Sequence, residues 1–139
     1  MNCLPDTSAW SMLLCRRRPG SEDHPVARIL RSQLEGTGSV FLTGIIYQEV
    51  LQGIRLEKQR LQLIKLLAPF PMLDPGRVTH ERAARLRDRC LSAGVTVSTI
   101  DVLIAQVAID FDCALLSADQ DFQAIAKHSR LHMVRAGPS

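Results

Sequence analysis

Apolar residues recur in short runs that alternate between strand-like and helical spacing. Residues 2–5 form an apolar stretch of strand length, and residues 8–15 continue with helical periodicity. Arg16-Arg17-Arg18-Pro19-Gly20-Ser21 reads as a loop, because charge and a Pro-Gly pair interrupt any regular element. A second helix is predicted over residues 25–34, where Pro25 suits the first turn and Gly36 and Gly38 stop it. Residues 40–42 read as a strand, after which Thr43 caps a helix that runs through Gln52 and ends at Gly53. The next helix, over residues 56–67, puts Leu61, Ile64 and Leu67 on one face.

Pro69 breaks that helix, and residues 71–73 make a brief strand. A long helix over residues 79–92 turns Ala83, Leu86 and Cys90 inward and Arg82, Arg85 and Arg89 onto another face, with Gly94 closing it. Ser98 or Thr99 caps a strongly apolar helix to Asp110. A strand over 114–117, a helix over 120–127 and a last strand over 131–134 follow, with 135–139 as a frayed tail. Five short strands separated by helices predict an α/β domain with a mostly parallel sheet. The 139 residues fit one domain, 1–139, with no repeat or linker.

In parallel sheets the working groups gather beyond the carboxyl ends of the strands. Asp6 directly follows the first strand, and Asp119 lies just beyond Leu116-Ser117, so both project at one edge if the strands are parallel. Each also reads as a helix cap or an Asx turn. Asp101 opens a helix that is apolar on nearly every side, where Ser98-x-x-Asp101 matches a capping box. It shares a face with Ala105, Ala108 and Asp112, and the small alanines leave that face open for a metal or a phosphate. Glu49 reads as a surface glutamate with Gly53 one turn on, and Asp121 sits favourably at a helix start. Three or four carboxylates held together repel by roughly 4 kcal/mol per pair at about 4 Å. Such a cluster is kept mainly to bind a hard divalent cation, Mg²⁺ or Mn²⁺, the chemistry of phosphodiester hydrolysis.

Composition narrows the class without naming a substrate. Apolar residues at 46% and charged residues at 22% exclude a disordered or fibrous chain. No apolar run is long enough to cross a bilayer, and Met1-Asn2-Cys3-Leu4-Pro5-Asp6 has no secretory character, so a cytoplasmic protein with no membrane association is expected. Cys3, Cys15, Cys90 and Cys113 lie in apolar stretches without metal-ligand spacing and read as reduced, mostly buried thiols. The net charge of +3 is only mildly basic, but 14 of the 17 bases are arginine. Arginine suits bidentate contact with phosphate, and a GC-rich genome yields the same bias.

Together these segments carry a family likeness. Asp6-Thr7-Ser8-Ala9-Trp10, Glu49-x-x-x-Gly53, Asp101-x-Leu103-Ile104-Ala105 and Leu115-Leu116-Ser117-x-Asp119-x-Asp121-Phe122 resemble the motifs of PIN-domain nucleases. More narrowly, the chain resembles the VapC toxins of type II toxin–antitoxin systems over nearly its whole length. The resemblance implies a PIN-like α/β/α sandwich around a central, mostly parallel sheet of about five strands. It implies a Mg²⁺-dependent endoribonuclease, with Mn²⁺ able to substitute, whose catalytic acids are Asp6, Glu49, Asp101 and Asp119. Asp6, Asp101 and Asp119 are then metal ligands, Asp121 is auxiliary, and Glu49 orients or deprotonates the attacking water. Ser8 and Ser117 match positions that orient the carboxylates.

Arg16, Arg17 and Arg18, and less so the Arg82/Arg85/Arg89 face, are candidates to guide RNA; Glu81–Arg85 pairing favours a solvated surface for the latter. A VapB-type antitoxin and a homodimer are the implied partners, with Trp10, Met12, Leu13 and Leu14 reading as an apolar groove or as core. Pro5 departs from the family's aliphatic residue before the first Asp and puts the extent of the first strand in question. The competing readings are a phosphorelay receiver, an inactive PIN-fold binding module, and a DNA-directed nuclease of the same superfamily. The receiver lacks the lysine it needs after the last strand, where Arg135 stands.

Overall fold

The computed structural model describes residues 1–14, 24–36 and 38–135. The Arg16, Arg17 and Arg18 triplet, Cys15 and residues 136–139 lie outside the described residues. The strands are β1 (Asn2–Pro5), β2 (Ser39–Val40), β3 (Leu42–Thr43), β4 (Met72–Leu73) and β5 (Ala114–Leu116). The helices are α1 (Thr7–Leu14), α2 (Pro25–Glu35), α3 (Gly44–Gln52), α4 (Glu57–Leu67), α5 (Arg77–Ser92), α6 (Thr99–Asp110) and α7 (Asp121–Lys127).

Among the described residues every strand pairing is parallel, and β1 lies between β2 and β5 while β3 pairs with β4. The strand expected over 40–42 is divided between two neighbours. The Phe41 N–H donates to the Cys3 carbonyl at 3.0 Å, and the next N–H, that of Leu42, donates to Pro71 at 2.9 Å. Residues 39–43 thus hand over from β1 to β4. Pro5 stays within β1, in register with Leu116, and the Asp6 N–H donates to the Leu116 carbonyl at 2.9 Å. Alternation aims the Pro5 nitrogen at the β2 side, where pairing with β1 ends at Phe41, so its missing N–H breaks no ladder bond toward β5. The last strand shrinks to a single bridge, Leu115 with Met133, flanked by bonds from Leu115 to His132 and from Val134 to Leu115, both 2.8 Å.

The helices begin where local chemistry starts them. Thr43 accepts from the Ile46 N–H at 3.2 Å to cap α3, and Ser98, not Thr99, accepts from the Asp101 N–H at 3.0 Å to cap α6. Beyond α5, Gly94 takes a φ of +80°, the left-handed conformation that ends a helix at least cost in glycine. Helix α6 is central: Val102, Ile104, Ala105, Gln106, Val107 and Ala108 are all buried, and the helix packs on α5 and α7. Ala105 and Ala108 are therefore packed inside rather than lining an open face, because a helix enclosed on most sides needs small residues for close approach. Trp10 is also core, 1% exposed and tilted against Phe70, which removes it from the expected apolar groove. Helix α1 packs on α2 and α3, and the sheet with its two groups of helices makes an α/β/α sandwich.

Candidate metal centre

Parallel β1 and β5 end side by side, and each delivers an acid and a serine to the same edge. Asp6, immediately after β1, is 4% exposed and held from several directions. Its Oδ1 accepts from the Ser8 hydroxyl at 2.6 Å and from the Ala9 N–H at 3.0 Å, which also caps the start of α1. Its Oδ2 accepts from the Ser117 hydroxyl at 2.6 Å. The two hydroxyl oxygens lie 3.2 Å apart, and each also accepts a backbone N–H: Ala118 to Ser8 and Asp119 to Ser117, both at 2.9 Å. This network locks the end of β1 to the turn after β5.

Asp101 enters from the first turn of α6, and Asp119 and Asp121 from the turn that opens α7. One carboxylate oxygen from each of the three lies within 4.8 Å of the other two. Asp119 is fixed locally, since its Oδ1 accepts the Asp121 N–H at 2.9 Å. Burial pushes the Asp6 carboxyl up, the Ser117, Ser8 and Ala9 donors oppose it, and the charge of Asp119 adds to the rise. Burial likewise raises Asp101, Ser98 opposes it, and the charges of Asp119, Asp121 and Asp6 push further upward. In both, burial is the larger cause and the neighbouring carboxylates add to it. Among the described residues the ion pairs are Arg60–Glu57 and Arg82–Asp110, and neither touches these acids.

The structure thus brings Asp101, Asp119 and Asp121 together, with Asp6 beside them, and Ser8 and Ser117 on Asp6. Glu49 stands on α3 and is not within the trio; its Oε1 accepts the Thr7 hydroxyl at 2.8 Å. Thr7 was not singled out in the sequence. The signal was a hydroxyl between Asp6 and Ser8 at the start of a helix, but its partner is 42 residues away. Gly53 caps α3 in a right-handed conformation, and an added Cβ there meets only carbonyl oxygens at 3.4 Å or more, so it makes no special opening beside Glu49. A donor set made only of carboxylate oxygens fits a hard divalent cation and suits neither a soft metal nor a cofactor base.

The family model for the PIN domain matches residues 3–128. Among solved structures, the fold is similar to VapBC2 from Rickettsia felis bound to a DNA fragment from their promoter. That match has a TM-score of 0.75 and 15% identity over 96% of this chain and 98% of that one. VapBC-1 from nontypeable Haemophilus influenzae aligns with a TM-score of 0.74 and 20% identity, covering 99% of this chain and 100% of that one. FitAcB from Neisseria gonorrhoeae aligns at 0.69 and 21% identity, covering 96% and 97%.

Proposed function

The chain belongs to the PIN-domain family, and on that premise we propose that it is the toxin of a type II toxin–antitoxin pair, an endoribonuclease that uses Mg²⁺ or Mn²⁺. PIN domains are generally nucleases. The observation that carries the reading is the convergence of Asp101, Asp119 and Asp121 within 4.8 Å, beside the buried Asp6. The likeness to complexes named VapBC and FitAcB supports a VapB-type antitoxin as partner, and a homodimer is part of the same reading.

Asp101, Asp119 and Asp121 would hold the cation, with Asp6 contributing from the strand end. When bound, a divalent cation there lowers the pKa of water and offsets charge on the phosphate. The chain's own residues set the geometry. Ser8 and Ser117 fix both oxygens of Asp6, so its carboxylate cannot rotate away from the trio. Thr7 holds Oε1 of Glu49, and Oε2 would be free to take a proton from an attacking water. In-line displacement would then break the bond to the 3′ oxygen, which takes a proton from solvent, and yield 5′-phosphate and 3′-hydroxyl ends.

No helix among the described residues is long and apolar enough to cross a membrane. The test is cleavage of total bacterial RNA by antitoxin-free protein with Mg²⁺, Mn²⁺ or EDTA, alongside Asp101→Asn and a DNA competitor. Discrete metal-dependent cuts that vanish in the variant and resist DNA are expected. Folded protein that makes no cut with either metal sinks the nuclease reading, and preferential loss of DNA redirects it to a DNA substrate.

A further inference from the structure

Helices α6 and α7 begin at the acidic cluster and end at a basic cleft. The cleft, about 720 Å³, is lined by Arg82, Arg85 and Arg89 of α5, by Gln106 and Asp110 of α6, and by His128 and Arg130 beyond α7. Among the described lining residues its one carboxylate has its charge offset by donors. Asp110 accepts from the Thr79 hydroxyl at 2.7 Å, the Gln106 amide at 2.9 Å and Arg82 at 3.2 Å. Burial pushes the Asp110 carboxyl up, but those donors and the Arg82 charge outweigh it, and the net shift is downward. Arg85, Arg89 and Arg130 are exposed and have no ion-pair partner among the described residues; the expected Glu81–Arg85 pair does not form. A second hollow, about 480 Å³, continues past Arg89 and His128 to Asp88, an acid at its far edge.

We propose that this cleft is a second RNA-binding site, in which Arg85, Arg89 and Arg130 hold backbone phosphates of a strand whose scissile bond lies at the acidic cluster; the proposal rests on the ribonuclease reading. Arginine forks match phosphate oxygens bidentately, and three unpaired guanidiniums at one cleft make a site for several phosphates rather than one. Asp101 and Asp110 stand at opposite ends of α6, about 14 Å apart at the rise of a helix. That is roughly four stacked nucleotides at about 3.4 Å each. The acidic trio repels phosphate unless a cation is bound, so an anchor remote from it lets RNA dock without opposing that field.

The test measures binding of a fluorescent single-stranded 20-mer RNA in EDTA, so that no cleavage occurs, across a salt series. The full chain is compared with an Arg85→Ala/Arg89→Ala/Arg130→Ala variant and with the same three positions changed to Lys. Loss of three phosphate contacts lowers the slope of log affinity against log salt by about 2, and affinity at moderate salt falls at least ~10-fold. The lysine variant keeps most of the slope, since the charge remains. Unchanged affinity and slope in the alanine variant overturn the proposal. A lowered Tm in that case assigns the arginines to complementing the helix C-termini. Saturable ATP binding that displaces the RNA also overturns it, in favour of a free nucleotide. Cleft-dependent RNA binding by protein that cuts no RNA with either metal overturns the ribonuclease reading and the placing of a scissile bond at the acidic cluster, and supports only the arginines as a phosphate-binding site.

Discussion

Ser117→Ala tests the network that links the two strand ends. The Ser117 hydroxyl donates to Asp6 at 2.6 Å and accepts the Asp119 N–H at 2.9 Å. A hydrogen bond to a charged group contributes about 1.5–3 kcal/mol and a neutral one about 1 kcal/mol. Asp6 is 4% exposed, so water cannot replace the lost donor without structural adjustment. The expected loss at pH 7 in EDTA is therefore about 3 kcal/mol. Burial already holds the Asp6 carboxyl above its ordinary value, with Ser117 the first of the donors opposing it. Ionised Asp6 thus costs stability at neutral pH, and the cost is relieved as pH falls through its folded pKa. Removing Ser117 raises that pKa further, so the penalty is largest at pH 7. Toward pH 4 the bond becomes a neutral one, and the penalty shrinks by about 1 kcal/mol. Urea unfolding of both proteins at the two pH values reads the difference. A loss below about 0.5 kcal/mol at pH 7, or one that grows on acidification, refutes the reasoning. Ser8, with its oxygen 3.2 Å from that of Ser117, already donates its one hydrogen to the other oxygen of Asp6, and a Ser8→Ala/Ser117→Ala cycle measures how strongly the two bonds are coupled.

Asp101→Asn removes a charge that Asp119, Asp121 and Asp6 oppose, so the metal-free variant melts higher at pH 7. After solvent screening at this half-exposed position the gain is about 1 kcal/mol, or roughly 3 °C, and it fades toward pH 4; a lower Tm counts against the clustering. Mn²⁺ or Mg²⁺ at 100 times its Kd stabilises the wild type by about 2.7 kcal/mol at pH 7. The effect weakens on acidification, as protons compete for Asp6 and Asp101, and it is absent in Asp101→Asn; no shift at saturating metal removes the site. Cys3, Cys90 and Cys113 are buried, and burial, with Cys113 nearby, pushes the Cys3 thiol up to about 12. Iodoacetamide at pH 8 leaves these three unlabelled until urea unfolds the chain; peptide mass spectra that show native labelling of Cys3 contradict its environment.

What the sequence foretold, and what it did not, divides by range of interaction. Helix starts and stops are local, and Thr43, Ser98, Gly53 and Gly94 mark real ends because each acts on backbone within a turn of itself. The apolar run of α6 identified a central helix for the same reason: its composition alone requires cover on most sides. Strand partnership is not local. Nothing within residues 39–43 says that Phe41 bonds toward Cys3 while Leu42 bonds toward Pro71, and nothing within 131–134 limits pairing to one bridge. The open face drawn through Ala105 and Ala108 failed likewise, since small side chains signal close packing as readily as vacant space.

The site shows the same division at finer scale. Asp6, Asp101, Asp119 and Asp121 stood out because they follow strands or open helices, and a parallel sheet sends such strand ends one way; Glu49, within α3, did not. Ser8 and Ser117 were legible as supports through the family likeness, whereas Thr7, the support of Glu49, was not. Which acid each one holds was legible only for Ser8, two residues from Asp6; Ser117 reaches Asp6 across 111 residues and Thr7 reaches Glu49 across 42. A hydroxyl beside an acid in sequence has many uses, including the helix cap that Ser98 makes at Asp101. What distinguishes Ser8 and Ser117 is that both oxygens of one buried carboxylate end on them, while Ser8 also accepts the Ala118 N–H from the opposite turn and Ser117 the Asp119 N–H from its own. With each hydroxyl committed at both ends, neither can rotate alone. Asp6 is therefore positioned by the pairing of β1 with β5, and a mutation that shifts that register disturbs the acidic centre without replacing any acid.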